Sequence, residues 1–383
     1  MTGIGFCKNN IFSYNILKQT SAGQEIINNK YYNDLLIKGN ILINKQLEKF
    51  RERFVHDINN FISSYDDIYP IFNEFIHYMD KDLAKIISIQ YKDFSFENLD
   101  EIKNSLSVNS QLLLYNINRI FNSNFIITTH PILEILLNGA IKHYSANSNI
   151  NINDKDKFEL IYVHILALSL AEQLDRIMDK DEDLESLSYY KFIAPFTFKV
   201  IINKINKLNI LSSAVEAFSK ACKGQYKDYV LQNSDILSEN DIEECYDGKY
   251  GAVIGAAGKH MALYIERKLS LCNNELLSDL FMAGMSAAAK SMGCGNEMED
   301  YYKNNNASLW IRYYNQETNN IKIAITKTFE RSNSYLVEAY KIYRKLDDID
   351  TFPAYEKHFI QFMFLIIKHY NEYWYNRLIN NLR

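Results

Sequence analysis

Residues 158 to 185 run without a proline or a glycine, and their apolar side chains recur at helical spacing. The run begins as an apolar helix, Ile161 to Leu174, and turns acidic without a break. It ends Ala171-Glu-Gln-Leu-Asp-Arg-Ile-Met-Asp-Lys-Asp-Glu-Asp-Leu-Glu185. On a helix, Asp175, Asp179 and Asp183 stand at i, i+4 and i+8 and share one face. Carboxylates stacked in this way repel one another. They are tolerated on a solvated surface, or where a cation is held. Hard cations such as Mg²⁺ take carboxylate oxygens and leave room for substrate phosphates.

The remainder of the chain reads the same way. Its 383 residues include only 4 Pro and 13 Gly, too few for the turns of an all-β fold, while 47% hydrophobic residues allow a sizeable core. Helical periodicity runs from Tyr31 to about Tyr65, from Pro70 to Met79, from Leu83 to Tyr91 and from Leu112 to Phe121. Thr128-Thr129-His130 followed by Pro131 predicts a helix start, with the helix over Ile132 to Tyr144. Further helices are expected over Phe192 to Lys204, Leu211 to Cys222, Gly248 to Leu269, Leu276 to Ser291, Ile321 to Leu346 and Ala354 to Leu382. No stretch reads as a strand. The fold class is all-α, a large helical bundle.

Several classes of function are set aside by composition. The net charge of −5 is mixed along the chain and forms no basic stripe, so no nucleic-acid partner is expected. Cys7, Cys222, Cys245, Cys272 and Cys294 are odd in number and lack metal spacing, which suits free thiols in a reducing, cytoplasmic compartment. The N-terminal MTGIGFCKNN does not read as a signal peptide, and no transmembrane segment is expected. The histidines His130, His143 and His164 lack i+4 partners of ligand type, which argues against zinc. The small-residue run Gly251 to Gly258 follows no strand and is expected to be helix packing rather than a phosphate loop.

Four short pieces follow in order: Asp179-Lys-Asp-Glu-Asp183, Gly224-Gln-Tyr-Lys-Asp228, Gly248-Lys-Tyr-Gly251, and Asn296-Glu-Met-Glu-Asp300 with Asn306-Ala-Ser-Leu309 after it. In this order and spacing they resemble the trans-isoprenyl diphosphate synthase family, whose members carry DDxxD, GQxxD, Lys-Thr-Gly, a second DDxxD and Lys-x-Thr-Leu. The resemblance covers roughly residues 125 to 315. It is similar above all to the divergent ComQ-type branch, which prenylates a tryptophan of a secreted peptide pheromone. Ile177 to Asp183 matches that branch's Ile-Met-Asp-x-x-Glu-Asp.

The resemblance implies an isoprenoid-synthase bundle over residues 121–383, with residues 1–120 as an N-terminal helical extension. It implies two acidic motifs facing one another across a cavity, with Mg²⁺ bridging them to a prenyl diphosphate, and a homodimer. Asp179 and Asp183 fall on the first and last carboxylates of motif one, and Asn296, Glu297 and Asp300 on motif two. Gln225 and Asp228 fall on GQxxD, and Lys249 on the lysine that grips the diphosphate. Asp175, from its helical spacing, joins the metal set, and Arg176 is a further diphosphate contact. Asp179, Asp183 and Lys249 are the expected catalytic residues.

Departures from the pattern shape the expectation. Lys180 stands where the second Asp of DDxxD belongs, and Leu184-Glu-Ser-Leu187 replaces the arginine pair. The segment that would hold isopentenyl diphosphate survives only as His130-Pro131. One diphosphate site suits prenyl transfer to a non-isoprenoid acceptor such as a peptide. The alternatives are a class I terpene synthase, or a non-catalytic homologue that binds a lipid or regulates a partner.

Overall fold

The computed structural model describes residues 13–64, 69–92, 117–119, 121, 123–146, 148, 150–179, 184–271 and 277–382. These residues are helical almost throughout, and none of them forms a strand. The helices are α1 (Tyr14–Leu17), α2 (Ser21–Asn28), α3 (Lys30–Ser64), α4 (Tyr69–Tyr78) and α5 (Lys81–Gln90). They continue as α6 (Asn124–Ser145), α7 (Asp154–Asp179), α8 (Leu184–Lys207), α9 (Leu211–Gln232) and α10 (Glu239–Tyr246). A π-helical turn, Asp247–Ala252, leads into α11 (Val253–Lys268). The last four are α12 (Leu277–Asn304), α13 (Leu309–Thr318), α14 (Ile321–Arg344) and α15 (Ala354–Asn381), with a 3₁₀ turn at Lys345–Asp348.

Local chemistry explains many of the boundaries. Thr20, Asp80, Ser123, Ser238 and Asn320 each accept a hydrogen bond from a first-turn amide of the helix that follows. With few glycines to end helices, the chain uses other residues in the left-handed conformation. Asn209, Ser270, Asn305 and Asn319 have φ of 56°, 55°, 52° and 48°, at or just beyond the ends of α8, α11, α12 and α13.

Some boundaries differ from the sequence expectation. Helix α6 starts at Asn124 because Ser123 caps it, so Pro131 lies inside the helix. Helix α8 likewise begins at Leu184 and carries Pro195 internally. Helices α9 and α12 run on to Gln232 and Asn304, so Gln225, Asp228 and the whole of Asn296–Asp300 are helical rather than terminal.

Helix α12 packs against α11, α14 and α15, and α7 lies along α8. Leu17, Phe50, Phe54 and Phe75 of the N-terminal helices share one apolar core with Phe362, Tyr370 and Trp374 of α15. The aromatic residues of the last helix are therefore largely internal. A second cluster around Trp310 joins α10, α12, α13 and α14. Among the described residues no helix is long and apolar enough to cross a membrane.

His130 sits in the main core against the ring of Phe50, fully buried, with neither ring nitrogen hydrogen-bonded. Burial holds it neutral, with its pKa lowered to about 3. A lowered folded-state pKa gives stability that is complete above the unfolded value of 6.5 and is lost as pH falls below it. At pH 5 the loss from this residue is ~2 kcal/mol. His130→Leu is expected to shrink the stability difference between pH 7 and pH 5 by that amount, read from urea midpoints. An unchanged difference would show that His130 takes up no extra proton on unfolding.

Candidate active site

Lys249 is where the separated motifs meet. It lies in the π turn, a rare geometry that recurs at functional positions. Its Nζ is 2.7 Å from Oδ2 of Asp228 on α9 and 3.0 Å from Oδ1 of Asp175 on α7. Gln225 donates from Nε2 to the same Asp175 oxygen at 2.8 Å. Gln225 and Asp228 stand at i and i+3, so one face of α9 presents both.

Two glycines make this meeting possible. A Cβ on Gly224 would stand 2.2 Å from the Lys249 amide nitrogen, and one on Gly248 would stand 2.5 Å from the Gly224 Cα. Helix α9 and the π turn thus touch backbone to backbone, and the Cys245 thiol donates to the Gly224 carbonyl at 3.6 Å.

The second acidic motif approaches from α12. Asn296 Nδ2 donates to Asp300 Oδ2 at 2.9 Å. Burial pushes the Asp300 carboxyl up to about 7; the Glu299 and Asp175 charges raise it too, and Lys249 and Lys303 pull it back. Glu299 is held by the Tyr370 hydroxyl at 2.6 Å and by Lys303.

Glu297, expected on the second motif, is engaged by three donors of the protein itself. It is buried, and its oxygens accept from the Tyr246 hydroxyl at 2.5 Å and from the Trp310 and Ile311 amides at 2.9 and 3.3 Å. Its carboxylate closes the N-terminus of α13. Arg176 is paired with Glu172, one turn back on α7, at 3.1 Å. Asp179 is the last residue of α7, with no description of its side chain, and Lys180 and Asp183 lie outside the described residues.

Behind Gln225 and Lys249 lies a cavity of about 110 Å³. Its walls come from α7 (Ala167, Leu170, Leu174), α8 (Phe198, Ile202) and α9 (Phe218), among others. Polar groups are few. Among them are Gln225, Lys249, His164 and His260. His260 Nδ1 lies 3.3 Å from His164 Nε2, and its Nε2 lies 2.9 Å from Ser213 Oγ. Burial lowers the pKa of both imidazoles.

Sequence reasoning treated His164 as isolated because its partner lies on another helix. It also missed the walls contributed by α8 and α9, whose periodicity marks an apolar face without saying what that face encloses. The small-residue run acts as expected in helix packing, with Gly255 against Ser286 and Gly258 against Met285.

No protein-family model matches the chain, and no curated protein matches it.

Among the described residues, no three His, Cys, Asp or Glu side chains cluster closely enough to hold a metal ion. Carboxylate oxygens are nonetheless the donors a hard cation takes, and Asp175 and Asp228 supply them on either side of Lys249.

Proposed function

We propose that this chain is a Mg²⁺-dependent enzyme of the isoprenoid-synthase type. It would act on an allylic prenyl diphosphate and transfer the prenyl group to a non-isoprenoid acceptor such as a peptide. The observation that carries the reading is the apolar cavity that has Lys249 and Gln225 in its lining, beside two carboxylate-bearing helices.

In this reading the prenyl chain enters the cavity and the diphosphate stays beside Lys249. Ionisation breaks the allylic C–O bond, and the electron pair leaves with diphosphate. Lys249 turns from Asp175 and Asp228 to the growing negative charge on the leaving group, where a fixed cation is most effective. Asp175, Asp300 and Asn296, with Asp179 and Asp183, would hold Mg²⁺. Bound there, the metal would neutralise the diphosphate and offset the surplus of carboxylates. The apolar walls keep water from the allylic cation. The acceptor's nucleophilic atom then bonds to the prenyl carbon and loses a proton.

A cavity of about 150 Å³ takes benzene, so the present 110 Å³ holds at most about one isoprene unit. A longer chain requires Phe198, Ile202 and Phe218 to turn aside.

A second reading, cyclisation by a terpene synthase, draws on the aromatic lining of Tyr78, Phe198 and Phe218, whose π faces steady carbocations. One experiment separates the two. Purified protein is mixed with dimethylallyl, geranyl, farnesyl and geranylgeranyl diphosphate, with Mg²⁺ or with EDTA. Prenyl transfer predicts tight Mg²⁺-dependent binding with slow release until an acceptor peptide is added. Cyclisation predicts release and a hydrocarbon product without acceptor. Neither binding nor release with any chain length would sink both readings.

A further inference from the structure

We infer that Glu297 is a positioning residue, which fixes the Lys249 turn through Tyr246 instead of binding metal. The inference rests on the functional reading above for the role of Lys249, and on geometry for the rest.

Tyr246 is the last residue of α10, immediately before the π turn that carries Lys249. Helix α12 grips this segment at three successive levels. Ser286 donates from Oγ to the Gly251 carbonyl at 2.8 Å. Gly293 leaves room for two rings: a Cβ there would meet Tyr250 at 2.7 Å and Tyr246 at 3.1 Å. Glu297, one turn further on, receives the Tyr246 hydroxyl at 2.5 Å.

The other side of the Glu297 carboxylate is also engaged. Its Oε2 accepts the Trp310 and Ile311 amides, which are the otherwise unpaired donors at the start of α13. One buried side chain therefore bolts α12, α13 and the residue preceding the π turn together. The Gly224–Gly248 contact fixes the turn against α9. Lys249 is held from two directions, and neither hold involves its own side chain.

A carboxylate in this place needs two acceptor oxygens, because donors approach both. Glutamine offers one oxygen and one NH₂. In Glu297→Gln the amide oxygen takes Trp310 and Ile311 and the NH₂ donates to the Tyr246 oxygen, but the buried Tyr246 O–H then loses its charged acceptor and the link weakens. Tyr246→Phe removes the same link from the other end. Because Glu297 acts through Tyr246, the two substitutions together should slow the reaction no more than Glu297→Gln alone.

The test compares full-length wild type, Glu297→Gln, Tyr246→Phe, Glu297→Gln/Tyr246→Phe and Asp300→Asn. It measures thermal midpoint, Mn²⁺ binding by the electron paramagnetic resonance of the free ion, and diphosphate release at a temperature where each variant is folded. Glu297→Gln is expected to lower both the midpoint and the rate, the latter about tenfold, and Tyr246→Phe to lower the rate in the same direction. Mn²⁺ affinity should stay within twofold of wild type in both, while Asp300→Asn weakens it. The double variant should be no slower than Glu297→Gln alone.

Loss of Mn²⁺ binding in Glu297→Gln with Tyr246→Phe unaffected would make Glu297 a ligand and overturn the proposal. So would a lowered midpoint with an undiminished rate, since that is stabilisation without positioning. So would a double variant whose rate falls by the product of the two single effects. Absence of both Mn²⁺ binding and release in the wild type would remove the functional reading and, with it, the link to catalysis. Non-additive midpoints would still report on the hydrogen-bond link between Glu297 and Tyr246.

Discussion

Replacing Lys249 with alanine should lower diphosphate release by roughly 100- to 1000-fold, the effect of deleting one fixed charge at a leaving group. The helical content should not change, because Lys249 belongs to neither apolar core cluster. Stability should fall as well. Asp228 has a side chain only 13% exposed, and it would face Asp175 with no cation between them. Breaking a fully buried ion pair costs more than this site should, because the Asp175 side chain is 39% exposed and water screens it. A loss of ~2 kcal/mol is expected. Release assays and urea midpoints on the same preparation check both parts. A variant that turns over within twofold of wild type would take Lys249 out of the proposed chemistry.

The second large effect is expected from Gly224→Ala. On an exposed helix this change gains about 1 kcal/mol in propensity. Here the new methyl group would stand 2.2 Å from a backbone nitrogen and 2.5 Å from a backbone carbonyl carbon, neither of which can rotate away. Overpacking costs about 1–3 kcal/mol and more where backbone must shift, so sterics win over propensity. The π turn then moves, and an ångström of displacement at Lys249 can cost about 100-fold in rate. Gly251→Ala is the control. Its Cβ would meet nothing closer than 3.6 Å, an ordinary contact, and it should be neutral in both assays. Equal behaviour of the two variants would show that the backbone contact at Gly224 is not what sets the turn.

Much of the fold was legible because helical periodicity is a local property. The apolar spacing from Ile161 to Leu174 belongs to one helix, and it is buried as the pattern requires. The site was legible in part. Gln225, Asp228 and Lys249 were named from their motifs, and they converge through two ion pairs and a hydrogen bond involving Asp175. Asp175, included for its spacing alone, proves to be the α7 carboxylate that meets Lys249. Helix α7 ends at Asp179, so among the described residues the contact sits one turn before the acidic cluster that dominates the sequence. Glu297 could not be assigned in advance. Whether a glutamate faces a cavity or caps a distant helix depends on where Trp310 lies, and no spacing along α12 encodes that.

The backbone contact between Gly224 and Gly248 also gears two movements together. Side chains that pack across a gap can slide or change rotamer, but two main chains in contact have no such slack. A swing of α9 that widens the cavity would draw the π turn with it and carry Lys249 away from Asp175. Admission of a chain and withdrawal of the cation would then be one motion, and so would closure and engagement. Under the proposed function, the charge would then meet a diphosphate only once its tail is seated.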